Sequence, residues 1–187
     1  MGESGVSFSA DNAWQRGIRD RILAPHLYGI RSVEGRYVFM DKGRLATILQ
    51  RRYAVDTILQ GRDGRAVCIE EKITRWPGFA LLNFFLETMS CTVAGLESEG
   101  WMRYAEADYL LYAFMQADDV HLLCYLIEFP ALKAWFWPRS ERFRLYIMPN
   151  TTNHTAGRLV PIATVRQAVR TWRFTIPQPL TRSGAST

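Results

Sequence analysis

The chain has 187 residues, 48% hydrophobic and 13% aromatic, with 23 Lys+Arg against 18 Asp+Glu for a formal net charge of +5. That length and apolar content fit one domain with a buried core, expected over 1–180, and exclude a disordered chain; the small polar tail 181–187 is expected to fray. The longest uncharged apolar runs, 79–86 and 109–115, fall well short of the ~20 residues of a membrane helix, the polar start lacks a signal pattern, and Cys68, Cys91 and Cys124 show no CxxC, so the expectation is a cytoplasmic protein with reduced thiols and no membrane partner.

In chain order, residues 10–23 read as an amphipathic helix, with Trp14, Ile18 and Ile22 at i, i+4, i+8 and Pro25 as its stop. Strands are expected at 37–40, 53–59 and 66–74, the last two joined by a turn at 61–64 whose Asp63-Gly64 pair is a strong hairpin signal. Further strands are expected at 79–88, 107–115 and 121–127. A helix opened by Pro130 is expected over 129–137, a strand over 142–148, and a last helix over 161–173 with Pro161 at its start. In that last helix Arg166, Arg170 and Arg173 would fall at i, i+4, i+7 and form a rail for a phosphate backbone. The class is α/β, a mixed central β-sheet flanked by helices.

Charge is unevenly distributed. Residues 1–65 carry eleven basic against seven acidic side chains, residues 66–138 four against ten, and residues 139–187 eight against one. An acidic middle suits divalent cations, and basic ends suit polyanions. The basic side chains are twenty Arg and three Lys, so a lysine such as Lys72 marks a place that suits a compact point charge.

The chemistry concentrates in Asp56 and Glu70-Glu71-Lys72. A hairpin would bring Asp56 on one arm beside Glu70 on the other. Strand alternation sets Glu70 and Lys72 on one face and Glu71 on the opposite one, and a one-residue offset would exchange the two glutamates. Two adjacent carboxylates repel unless a cation lies between them. Mg²⁺ or Mn²⁺ fits such oxygen ligands, with a bound water as nucleophile and Lys72 orienting it or stabilising charge. Glu87 is a candidate further ligand.

These residues resemble the PD-(D/E)xK nuclease superfamily, which has a restriction-endonuclease-like core. Asp41-Lys42, Val55-Asp56, Gly64, Glu71-Lys72, Leu86-Glu87-Thr88, Gly100-Trp101 and Ala107-Asp108-Tyr109-Leu110 are similar to small phage and mobile-element members, over about residues 36–137. The superfamily pattern implies Glu70 as the second metal ligand, whereas the adjacent Glu-Lys pair of the small members implies Glu71. The resemblance implies a metal-dependent phosphodiester hydrolase acting on nucleic acid, DNA ahead of RNA. Asp56 with Glu70 or Glu71 would hold the metal, Lys72 and Glu87 would complete the catalytic set, and Arg51, Arg52, Arg166, Arg170 and Arg173, with Arg16 and Arg19, would contact the backbone. A homodimer, or a subunit of a larger complex, is compatible with it. The alternative from a different class is a catalytically inactive nuclease-like fold serving a phage or mobile element as a nucleic-acid- or protein-binding module. Asp108 is expected to be a strand-start turn residue and Trp101 core.

Overall fold

The computed structural model describes residues 8–28, 36–39, 52–60, 64–75, 82–93, 96–116, 121–149 and 154–177. The expected turn residues 61–63, Asp41-Lys42, Arg51 and the tail 181–187 lie outside them.

The first helix, α1 (Phe8–Ile18), does not stop at Pro25. It runs on through a wider π turn, Arg19–Leu23, and a last helical turn, Ala24–His26. The Ala24 N–H reaches back five residues to the Arg19 carbonyl. Proline has no N–H to lose in the first turn of a new segment, and the widened turn before it relieves the clash that a regular helix would suffer. Ile18, Ile22 and Leu23 form the buried stripe.

Among the described residues ten strands follow: β1 (Arg36–Phe39), β2 (Thr57–Gln60), β3 (Ala66–Thr74), β4 (Asn83–Val93), β5 (Leu96–Glu99), β6 (Tyr109–Met115), β7 (His121–Glu128), β8 (Arg144–Pro149), β9 (His154–Pro161) and β10 (Thr171–Pro177). They make a six-stranded sheet, β1-β2-β3-β6-β7-β10, and a four-stranded sheet, β5-β4-β9-β8. The first is mixed: β3 and β6 run parallel, and its other pairs are antiparallel. The second is antiparallel throughout. After β3 the chain builds β4, β5 and helix α2 (Trp101–Tyr104) before returning as β6. Helices α3 (Phe129–Phe136) and α4 (Ile162–Ala168) complete the framework.

One face of the six-stranded sheet carries Ile69, Ile73, Leu111, Ala113 and Cys124 against Ile18, Ile22 and Leu23 of the N-terminal helix. The other carries Leu110, Tyr112, Phe114, Tyr125 and Ile127 against Phe84, Leu86 and Val160 of the second sheet, together with α2, α3 and α4. The class is therefore mixed α/β, but helices alone do not flank the sheet: the second sheet covers much of one face. Local pattern reads 96–99 as loop and gives no element for 154–161, because β4, β5 and β9 mix polar and apolar positions and gain their order from pairing with one another.

Two further expectations are corrected. The segment before β2 is not a strand from residue 53. Arg52 and Tyr53 form a helical turn, Ala54 has a left-handed φ of 46°, and regular pairing begins at Thr57. The last helix ends at Ala168. Val169 turns to an extended conformation (φ −131°, ψ 140°), and β10 pairs along β7 from Thr171↔Ile127 to Pro177↔His121. Val169, Thr171, Thr175 and Ile176 are β-branched and favour extended backbone, and the open edge of β7 supplies a full ladder of hydrogen bonds that helix continuation would forgo. Arg166 thus lies on α4, Arg170 in the connection and Arg173 on a strand, so the three do not share a helix face.

Candidate active site

Strand β3 lies inside the sheet, between β2 and β6, and its middle residues Ile69, Glu70 and Glu71 are buried. Alternation sends Glu70 and Lys72 to one face and Glu71 to the other. The Asp56 N–H bonds the Ile69 carbonyl at 3.0 Å, extending the β2–β3 ladder by one residue and fixing Asp56 beside Glu70. Ala54, two residues earlier, is buried in its left-handed conformation, which costs a non-glycine residue ~1–2 kcal/mol. Strain of this kind immediately upstream of a carboxylate commonly accompanies a functional position.

Glu70 is buried at 2% exposure and pairs with the Lys72 ammonium. Its carboxyl also neighbours that of Asp56, and two carboxylates so placed disfavour ionising both. Burial, with the Asp56 charge adding to it, pushes Glu70 well above the ordinary carboxylate range despite the opposing Lys72. Burial works against the Lys72 cation, but Glu70 and then Asp56 more than offset it and hold Lys72 above the usual lysine range. Lys72 stays charged at neutral pH. It keeps 32% side-chain exposure, so it sits at the mouth of the cluster, with its Nζ 4.9 Å from the centroid of the Trp101 ring.

Glu87 of β4 joins from the second sheet. Burial raises its carboxyl, while the Lys72 charge and the Trp101 backbone N–H pull it back down. Gly100 makes this approach possible: a Cβ there would lie 2.6 Å from the Glu87 carbonyl oxygen. Tyr104, at the end of α2, senses Lys72, Glu70, Glu87 and Asp56; burial first, then its three carboxyl neighbours against Lys72, raise its hydroxyl. Tyr104 has no signal in the sequence, because only the fold of α2 brings it to β3.

Glu71 occupies the opposite face. Its Oε1 accepts hydrogen bonds from Tyr28 OH (2.5 Å) and Thr57 Oγ1 (2.7 Å), and its Oε2 pairs with Arg19 Nε (2.5 Å). The β3 register therefore groups Asp56, Glu70, Lys72 and Glu87 and separates Glu71 from them by the thickness of the strand. Arg19, expected on the surface, is buried at 7%. Its position among Ile18, Ile22 and Leu23 was the available signal: a charged residue at the edge of an apolar helical stripe needs a buried partner.

Among the described residues no three His, Cys, Asp or Glu side chains are grouped so as to hold a metal ion. The cluster offers instead a close pair, Asp56 and Glu70. That suits the donor chemistry of Mg²⁺ or Mn²⁺, which take oxygen ligands and, for Mg²⁺, are commonly held by one or two carboxylates with waters and substrate phosphates completing the shell. Asp108 lies elsewhere, its Oδ2 accepting the Cys68 N–H at 2.8 Å, as a residue tying the start of β6 to β3. Trp101 is buried in the core beside Phe129 as well as under Lys72.

Arg52, Arg166, Arg170 and Arg173 are exposed. Arg52 lies over Tyr53, while Arg170 pairs with Glu128 at 3.4 Å and stacks on Trp172. Arg173 has a closer relation to the cluster. The register runs Lys72↔Tyr112, Tyr112↔Tyr125, Tyr125↔Arg173, so Arg173 belongs to the same cross-sheet row and face as Lys72, three strands or ~14 Å away. No family model, curated protein or solved structure matches the chain.

Proposed function

We propose that the chain is a Mg²⁺- or Mn²⁺-dependent nuclease of PD-(D/E)xK type, with a restriction-endonuclease-like core, hydrolysing phosphodiester bonds of nucleic acid, DNA ahead of RNA. The observation that carries this reading is the convergence of Asp56, Glu70 and Lys72 on one face of β3, with Glu87 at its side. Counting both faces, four carboxyl groups (Asp56, Glu70, Glu71, Glu87) meet two cations (Arg19, Lys72). Fully ionised, the set would carry two excess negative charges, which a divalent cation would balance; without one, burial and the Asp56 charge shift Glu70 towards its protonated form, against the opposing Lys72.

Asp56 and Glu70 would hold the metal, which when bound supplies Lewis-acid polarisation and a more acidic water. Lys72 is a fixed cation rather than a base. Its ammonium, aimed by Glu70, Glu87 and the Trp101 ring, stabilises negative charge developing on the phosphoryl oxygens. Arg173, on the same face, Arg166 and Arg52 supply cations to the backbone of a bound strand. Glu71, held by three donors on the other face, is assigned a structural part.

The test is cleavage of plasmid, linear duplex, single-stranded DNA and RNA with Mg²⁺, Mn²⁺ or EDTA, with Asp56→Ala and Lys72→Ala proteins purified alongside. Metal-dependent cutting that falls at least about a thousandfold in both variants, ~4 kcal/mol of barrier, is the expected result. A second reading, a binding module of a mobile element without turnover, is favoured by the absence of a three-residue metal group among the described residues. It predicts nucleic-acid binding without cutting, and equal behaviour of wild type and both variants.

A further inference from the structure

Arg19 joins the two faces of β3. It lies at the start of the π turn, where the widened helix carries it towards the sheet. Its Nε meets Glu71 Oε2 at 2.5 Å, and its Nη2 lies 3.5 Å from Asp56 Oδ1. The other Asp56 oxygen, Oδ2, accepts the Glu71 N–H at 2.9 Å. Asp56 is thus gripped from behind at both oxygens, by a guanidinium and by the backbone of the strand that carries Glu70. The guanidinium is itself fixed. Burial opposes its charge, but its direct partners Glu71 and Asp56 more than offset that.

Stability alone is a weak reason for such an arrangement. Buried ion pairs can often be replaced by apolar side chains at no cost in stability, and an ion pair for Glu71 alone would not need a second nitrogen directed at Asp56. A planar guanidinium is the side chain that can serve two carboxylates from different segments in one fixed geometry. We infer that Arg19 is a positioning residue of this site, holding the Asp56 carboxylate in the orientation that meets Glu70 and a divalent cation. This rests on the metal-dependent reading above and adds to it the residue that orients the first ligand. Partners that orient a metal ligand typically contribute 10–100-fold to metal affinity, without touching the metal.

The experiment measures Mn²⁺ affinity of the full chain, by electron paramagnetic resonance of free Mn²⁺, and thermal stability on the same samples. The proteins are wild type, Arg19→Gln, Arg19→Lys, and Tyr28→Phe with Thr57→Val, which loosens Glu71 without removing the Asp56 contact. The expected result is a ~10–100-fold weaker Kd for Arg19→Gln. Arg19→Lys, which keeps the charge but has one nitrogen for two carboxylates, loses at least about tenfold. Tyr28→Phe/Thr57→Val stays within about twofold of wild type, even if it melts earlier. If Arg19→Gln does not fold, Arg19→Lys carries the test. Wild-type affinity in the Arg19 variants, or an equal loss in Tyr28→Phe/Thr57→Val, overturns the positioning role and leaves the metal reading standing. No Mn²⁺ binding by wild type overturns both.

Discussion

At the scale of single residues, Glu70 and Glu71 are chemically identical neighbours with opposite circumstances. Glu71 meets three donors. Glu70 meets one cation and another carboxyl. The pH dependence of stability separates them. Burial raises Glu70 above its ordinary value of 4.5, so the folded chain holds that proton more tightly than the unfolded chain does. The resulting stabilisation is complete below about pH 4.5 and is lost as pH rises through the folded value. One such proton makes stability climb by up to ~1.4 kcal/mol for each pH unit crossed on going down from the folded value towards 4.5. Glu70→Gln, which mimics the protonated form, is expected to flatten that climb. Denaturant unfolding at pH 5 and pH 8 checks it; a pH profile shared by wild type and variant would mean that Glu70 is not the group that takes up the proton. Glu71→Gln acts differently. It leaves Arg19 as a buried cation with one distant partner, and a loss of ~3–5 kcal/mol is expected by the same unfolding measurement.

At the scale of elements, the site is assembled where β3, β4 and α2 meet. The bulge in β4 between Glu87 and Met89 turns the strand beside Gly100, whose N–H bonds the Thr88 carbonyl at 3.1 Å. Gly100 has an ordinary φ of −74°, so its requirement is space rather than conformation. A Cβ would stand 2.6–2.7 Å from backbone atoms of Glu87 and Met89, which are not free to move. Gly100→Ala is expected to cost ~1–3 kcal/mol and to displace both Glu87 and Trp101 from Lys72. A lowered melting temperature together with reduced turnover under saturating metal checks it; an unchanged melting temperature would mean that β4 and α2 are less tightly joined than the structure shows.

At the scale of the whole molecule, charge and topology act together. On the proposed function, a net charge of +5 would attract a polyanion at long range and the acidic middle would repel it locally, which leaves cations around the site to set the register of a bound strand. Arg173 is placed for this by its row with Lys72, and Arg166 by exposure on α4. Replacing either with Ala is expected to weaken nucleic-acid binding by a similar factor for all sequences and to lower the slope of log K against log salt by about one. Titrations at several salt concentrations, in Ca²⁺ to prevent turnover, check it. An unchanged slope would exclude these arginines from the contact surface. No described helix is long and apolar enough to cross a membrane.

The sequence by itself determined what depends on local pattern: the amphipathic N-terminal helix, strand β3 over Ala66–Thr74, the apolar strands β6 and β7, and the concentration of Asp56, Glu70, Glu71 and Lys72 near one turn. Period and propensity are short-range properties, and the chain states them directly. The side of the strand that each glutamate faces was legible only as a pair of alternatives, because register is a relation between two segments. Tertiary structure decided that relation through the Asp56–Ile69 hydrogen bond, and with it the separation of Glu70 from Glu71. It also ended α4 at Ala168, since the free edge of β7 lies in no sequence window around residue 169. Arg19 reaching Glu71 across 52 positions, and Tyr104 reaching the same strand from α2, belong to the same class of facts. A buried charge is tolerable only where the fold brings its partner, and that partner is named by packing rather than by spacing.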